Sequence, residues 1–580
     1  MELLGSEDMR TLAAVALGEE EADLVVKNAD LVNVYTRELL KGSAVAVKGA
    51  WIAYVGPDAD HTIGRETKVV DAQGMVLIPG LVDGHAHILY YAAPHGFLRH
   101  VMAGGTTTII TEIMELAFPL GHAGLVGCLD VLKNQPIKVF STVPPSISFS
   151  KDALKRAPTL EQLMELLRRE DVVGVGEGFW QEVLQKETNY PALAAEALKL
   201  RKTVEGHAAG CRSFRLSAYL DYGVSSCHES VSVDEVVEKI RFGVCAMIRE
   251  GSIRKELDAI VKVKDLALDL RRATLVTDGA DPRDLASKGY LEHVVQRSID
   301  AGFDPLLAVQ MATLNVAEHF RLEGLLGGIA PGKYADMVLI PDLRTVEARF
   351  VVSNGQVIAQ DGKPTVQPRM ALLKGQGLDR RNFRPQDFAI RVKCRGSAKV
   401  RVIDQITELV TKEAILQIRI QDGELKADPK QDILKASVIS CEGRMFHALI
   451  RGHGFQRGAM ATSGAWETFA VVVVGANDED MAAAANRIHE LGGGIAVCSQ
   501  GRVQAELPLP VGGILSDLKL EVIAERLNTI QEKAENLGFR FSDAALTLAT
   551  LTTAAIPFLR LSEDGLMDVK TGRKVEMIVP

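Results

Sequence analysis

The sequence predicts an α/β fold: a (β/α)8 barrel that carries a small discontinuous β-unit and is followed by an extra α+β unit. Three observations predict it. Short apolar runs alternate with helical, charge-patterned stretches through the middle of the chain. β-patterned segments recur on both sides of that region. The chain then continues from 366 to 580, well past the length one barrel needs.

In chain order, residues 1–22 read as a short, partly helical leader. Short β-runs follow at 24–26, 31–34, 44–47, 51–55 and 68–70, separated by turn residues such as Lys48-Gly49 and Gly56-Pro57. A matching set returns at 335–340 and 348–358, with Asn354-Gly355 as a hairpin turn. The two sets predict one domain built from segments 1–70 and 334–365, with the barrel over 71–333. The eight strand candidates are 75–78, 106–110, 137–140, 172–175, 203–205, 223–225, 244–247 and 273–276. Helical stretches such as 159–170 and 190–200 lie between most of them. Residues 366–389, rich in Lys, Arg, Gln, Asn and Pro, read as a linker. The region 390–580 is α+β, with strands at 470–474 and 495–497 and helices at 478–491 and 520–537.

Composition narrows the function classes. The chain is 47% hydrophobic and 24% charged, which excludes a disordered or collagen-like protein. With 5% aromatics and 51 glycines, it suits an α/β enzyme built from Ala, Val and Leu with many tight turns. The net charge of −9 offers no basic surface for nucleic acid or membrane. Seven scattered cysteines without a CxxC argue against a disulfide framework or a structural zinc site. The start is acidic and no apolar run approaches the roughly 20 residues of a membrane span, so a cytoplasmic location is expected.

Barrel chemistry sits at the C-terminal ends of strands. Pro79-Gly80-Leu81-Val82-Asp83-Gly84-His85-Ala86-His87 follows an apolar run, and residues i and i+2 of a strand share a side. His85 and His87 can therefore address one metal. Alone, an HxH is more often two unrelated surface histidines. Here four more strand ends agree: Gly176-Glu177-Gly178, Gly206-His207-Ala208, Cys227-His228-Glu229 and Thr277-Asp278-Gly279. Imidazole and carboxylate in the order HxH, Glu, His, His, Asp suit Zn, Mn or Fe.

These segments resemble the amidohydrolase superfamily and, within it, the adenine deaminases. Further matches are Asp304-Pro305, Met311-Ala312-Thr313-Leu314-Asn315 and the segment from Gly328 to Asp336. Leu491-Gly492-Gly493-Gly494 and Glu506-Leu507-Pro508-Leu509-Pro510 match the extra C-terminal domain of that family. The resemblance covers nearly the whole chain from about residue 24. Lysine-carbamate members of the superfamily place a lysine where this chain has Glu177. The sequence departs from the family pattern at Leu89-Tyr90-Tyr91, where a glutamate and a serine are usual after the isoleucine. It departs again at Gly279, usually aspartate, and at Gly464-Ala465-Trp466-Glu467, near where a His-Asp-Ser-His-Asn run is usual.

The resemblance implies a TIM-like amidohydrolase barrel with a small β-sandwich domain, and hydrolytic deamination of adenine or a related aminopurine by metal-activated hydroxide. It implies two divalent metals, manganese first, with iron or zinc as alternatives. His85, His87 and Asp278 would hold one, His207 and His228 the other, and Glu177 would bridge them. Asp278 would move the proton and Glu229 would protonate a ring nitrogen, with His228 beside them. The expected partner is a small purine, without nucleic acid or membrane; association of copies stays open. Two alternatives remain at this stage: an amidohydrolase cleaving a cyclic amide or N-acyl bond, and a weakly active paralogue that acts by binding.

Overall fold

The structure is a computed structural model that describes residues 3–185, 188–371 and 373–580. A helix at Ser6–Leu17 leads into a nine-stranded sheet made from both flanks of the barrel. Leu24–Asn33 pairs antiparallel with Glu38–Lys48 and parallel with Val76–Pro79. Val76–Pro79 in turn pairs antiparallel with Met337–Ile340, which brings in the distant strands Phe350–Ser353 and Gln356–Gln360. The last two join at Asn354-Gly355, with φ of 51° and 73°, the left-handed pair that a two-residue hairpin requires. The sheet curls on itself, so that Leu31, Val47, Leu77, Met337 and Val352 share one core.

The run at 75–78 therefore does not open the barrel, as the sequence pattern had suggested. It is buried in the flanking sheet, and the first barrel strand is the HxH segment itself. Both segments are fully buried, but only Val76–Pro79 is apolar throughout, so an apolar run points to the wrong one of the two; Leu81–Ala86 carries Asp83 and His85. We number the barrel strands β1 (Leu81–Ala86), β2 (Thr106–Thr111), β3 (Lys138–Val143), β4 (Val172–Phe179), β5 (Thr203–His207), β6 (Ser226–Cys227), β7 (Cys245–Arg249) and β8 (Ala273–Val276). β1 to β5 form one parallel sheet in sequence order, and β6 to β8 another. The sixth strand begins at Ser226, just beyond the predicted 223–225.

A few hydrogen bonds close the ring. Between β5 and β6, Ser225 N donates to the Val204 carbonyl at 2.8 Å. Between β8 and β1, Asp278 N donates to the His85 carbonyl at 3.0 Å. Below that bond the buried Asp83 accepts from Thr277 Oγ1 at 2.6 Å and from the backbone N–H of Thr277 and of His85, both at 3.3 Å. Outer helices start at sequence-encoded caps. Thr159 and Gln162 form a reciprocal capping box on Leu160–Leu167, which buries Leu163, Leu166 and Leu167.

The C-terminal unit holds a second nine-stranded sheet, with Ile433–Ser440, Ala470–Gly475, Ala459–Thr462 and Gly494–Ser499 at its centre. The helices Asp478–Glu490 and Leu520–Asn536 pack on it. The unit is docked on the barrel. Leu515–Ser516 pairs in parallel with Tyr91–Ala92, just after the HxH motif. Arg444 donates to Asp152 at 2.9 Å, Ser150 Oγ donates to Glu563 at 3.0 Å, and Arg283 donates to Asp543 at 2.6 Å. Among the described residues, no helix is long and apolar enough to cross a membrane.

The Asp83 tie has a measurable consequence. Asp83→Ala leaves Thr277 with a buried hydroxyl and N–H unsatisfied, so we expect a loss of about 2–4 kcal/mol. Chemical denaturation of the variant beside the parent checks it; an unchanged midpoint would remove Asp83 from the closure.

Candidate active site

The strand ends converge on one carboxylate. Glu177, near the end of β4, is 4% exposed and faces four imidazoles. Its Oε1 lies 2.9 Å from His87 Nε2 and 3.1 Å from His85 Nε2. Its Oε2 lies 2.9 Å from His207 Nδ1 and 3.8 Å from His228 Nε2. Asp278, just past β8, adds Oδ1 at 3.3 Å from His85 Nε2 and 3.6 Å from His87 Nε2. The His228 ring stacks on His85 with centroids 4.0 Å apart. Thus all six predicted ligands, and Glu229 beside His228, come together.

Backbone geometry aims them. Asp278 has φ 57°, a left-handed conformation that aspartate tolerates better than most residues, and Gly279 follows at φ 107°. That torsion gives a physical reason for glycine at the position where the family pattern has aspartate. At Gly176 a Cβ would lie 2.2 Å from Glu112 Oε2, so only glycine lets these two strand ends approach. Glu177 N then donates to Glu112 Oε1 at 3.3 Å. Burial, and next the Glu177 charge, push the Glu112 carboxyl up to about 7.

The donor set fits a divalent cation. Nitrogen and oxygen atoms of His85, Glu177, His228 and Asp278 all lie within 4.8 Å of one another, as do those of His207, His228 and Glu229. His85 Nε2 and His207 Nε2 are buried without a hydrogen-bond partner among the described residues. Such orphaned imidazole nitrogens are what a metal satisfies. The grouping differs from the expected one: His228 belongs to both clusters, because its ring lies against His85, His87 falls in neither, and Glu177 belongs only to the first.

A pocket with an empty volume of about 1060 Å³ opens over this cluster. One wall comes from the barrel, through Tyr90, Met114, Phe179 and Ile253; the other comes from the C-terminal unit, through Trp466, Glu467, Ile514 and Ile556. The nine other histidines stay outside the pocket lining. His319, for example, binds Glu205 at 3.0 Å.

Comparisons with known proteins agree with this arrangement. Residues 76–365 match the amidohydrolase family, and residues 408–573 match the adenine deaminase C-terminal domain. An adenine deaminase of Clostridium botulinum (strain 657 / Type Ba4) is 34% identical over 98% of this chain and 97% of its own. One of Archaeoglobus fulgidus is 35% identical over 98% of both chains. One of Moorella thermoacetica is 34% identical over 99% of this chain and 98% of its own. The chain belongs to the adenine deaminase family.

Several residues of this family member's site escaped the sequence reading. Arg249, the last residue of β7, is fully buried and donates to Asp278 Oδ2 at 2.8 Å. It also grips both oxygens of Glu229, with Nη2 at 2.9 Å from Oε2 and Nη1 against Oε1. Glu229 was expected to deliver a proton. Burial would raise its carboxyl, but Arg249 first and then His207 and His228 outweigh burial and hold it at about 2. Arg249's grip on both oxygens disposes Glu229 to accept hydrogen bonds. Glu115 accepts from His87 Nδ1 at 2.5 Å and fixes that ring. Arg249 and Glu112 obey the same strand-end rule as the predicted ligands and could have been found by it. Trp466 and Glu467 carry no spacing signal relative to the barrel.

Two predictions follow from the electrostatics. Burial opposes protonation of His85 and His207, yet Asp278 and Glu177 around the first, and Glu229 and Glu177 around the second, hold them up at about 10 and about 9. A metal needs the neutral rings, so protons compete below those values and affinity must rise with pH. Chelator competition between pH 6 and 8 should show tightening of about tenfold or more per pH unit; a flat profile would contradict it. Separately, Glu177→Gln should retain less than half the metal of the parent in elemental analysis, since it removes the charge shared by four imidazoles.

Proposed function

We propose that this chain hydrolyses adenine, or a related aminopurine, to the oxo-purine and ammonia. The observation that supports this reading most directly is Glu177. It lies among His85, His87, His207 and His228, at the strand end where lysine-carbamate members of the superfamily differ. The kinship to proteins named adenine deaminase extends over both units of the chain.

His85, His87, Glu177, His207, His228 and Asp278 would hold two divalent cations, with manganese as the proposed metal. Bound there, the cations supply water acidified towards a pKa of about 7. Net, water oxygen bonds to the ring carbon bearing the amine, the carbon–nitrogen bond breaks, and ammonia leaves. Asp278 moves the proton. Its Oδ2 is fixed by Arg249 and its Oδ1 faces His85, so the free lone pair of Oδ1 takes the proton of the attacking water and returns it to the departing amine. Burial alone would raise Asp278, but Arg249 and His228 hold it below the ordinary carboxylate range, ready to accept. The second proton of the water ends on the adjacent ring nitrogen, where the electron pair displaced by the attack collects, and Glu229, kept anionic by Arg249, accepts a hydrogen bond from that N–H instead of acting as the acid. The apolar pocket walls exclude bulk water and hold a planar base.

Ammonia release from adenine by the manganese-loaded protein tests the reading. Turnover should be readily measured and should fall at least a hundredfold in His87→Ala. Full metal content without ammonia from adenine would overturn the substrate; an unimpaired His87→Ala would overturn the ligand assignment.

A further inference from the structure

The two longer departures from the family pattern meet in space. Tyr91, on the barrel, packs against Gly464 of the C-terminal unit so closely that a Cβ there would lie 3.2 Å from Tyr91 Cε1. Leu89, Tyr90, Tyr91, Gly464, Trp466 and Glu467 all line the pocket above the cluster. They form one wall that spans both units.

Glu467 is the charged group of that wall. It is 9% exposed and held from behind. Oε2 accepts from Ala554 N at 2.6 Å and from Thr553 Oγ1 at 2.7 Å, while Oε1 accepts from Thr553 Oγ1 at 2.8 Å. The fully buried guanidinium of Arg560 has Glu467 as an opposing charge. Oε1 accepts only the one hydrogen bond from Thr553 among the described residues, so it keeps acceptor capacity. Burial raises its carboxyl to about 7, against the lowering effect of the Thr553 and Ala554 donors. The hydroxyls of Tyr90 and Tyr91 are likewise buried, with no partner beyond one another. Buried polar groups left in this state in a pocket lining point to a ligand that completes them.

The chemistry of the substrate says which part would. The carbon that loses its amine must face the metal cluster. The opposite edge of a free purine base is the imidazole ring, whose N–H is a donor. An N9-substituted purine has no donor there.

We propose that Glu467 is a specificity-determining residue that accepts the imidazole-edge N–H of the bound base, with Trp466 beside it against the ring face. This rests on the purine reading of the site. The C-terminal unit thereby discriminates a free base from an N9-substituted one.

The test compares adenine with 9-methyladenine as substrates and, by equilibrium dialysis, as ligands of the metal-loaded full chain. The parent should prefer adenine strongly in kcat/KM. Glu467→Gln should lose tenfold or more with adenine and less than threefold with 9-methyladenine, mostly through KM, at unchanged metal content. Glu467→Leu should do the same, and its thermal midpoint shows whether it folds. A parent that does not discriminate, or variants that lose both substrates equally, would overturn the proposal. If the parent binds adenine without turning it over, the deaminase reading fails, while the ratio of the two dissociation constants still decides on Glu467. Binding of neither purine would overturn both.

Discussion

Everything at this site depends on one buried carboxylate shared by four imidazoles. An ion as enclosed as Glu177 loses several kcal/mol of hydration and persists only if its surroundings return it. Here they come from three different strand ends: His85 and His87 from β1, His207 from β5 and His228 from β6. The barrel places those ends in a ring, and Asp83 and Thr277 fasten the ring where β8 meets β1. Metal ligation and barrel closure are thus one construction. Arg249 extends it outward by neutralising the second layer of carboxylates, Asp278 and Glu229.

The C-terminal unit is part of the same construction. Its short strand Leu515–Ser516 lies beside Tyr91–Ala92, four residues past His87. Arg283 to Asp543, Arg444 to Asp152, and Ser150 and the Asp152 N–H to Glu563 hold the rest of it against the barrel. A barrel alone would leave the cluster under an open mouth. With the second unit in place, Trp466, Ile514 and Ile556 roof it with apolar surface. Electrostatic interactions under that roof are stronger than they would be in bulk water.

Much of this was legible in the sequence, because strand ends are local. HxH, Glu177, His207, His228 and Asp278 each follow an apolar run, and a barrel turns that linear rule into proximity. The same locality misled at 75–78, where two consecutive buried strands, Val76–Pro79 and Leu81–Ala86, go to different sheets across a single glycine. Arg249 was readable in principle but was passed over, since an arginine after Val244–Met247 looks like an ordinary strand exit. The charge that makes it necessary sits 20 residues earlier, at Glu229. Glu467 could not be read at all. The barrel residues that share its pocket are hundreds of residues away in the chain, and only docking of the two units brings them together.

The sheet assembled from both flanks of the barrel also sets an order of events during synthesis. Val76–Pro79 leaves the ribosome early, yet its partner Met337–Ile340 is made only after the whole barrel segment. At typical elongation rates of about 5–20 residues per second, the early strands wait roughly 10–50 s with that edge exposed. Such unpaired edges invite pairing with other chains. The helix Ser6–Leu17, which packs on Glu38–Lys48 and Trp51–Gly56, is made before the barrel and can cover part of the nascent sheet during that interval. Deleting that helix would thus burden the newborn chain more than the finished one.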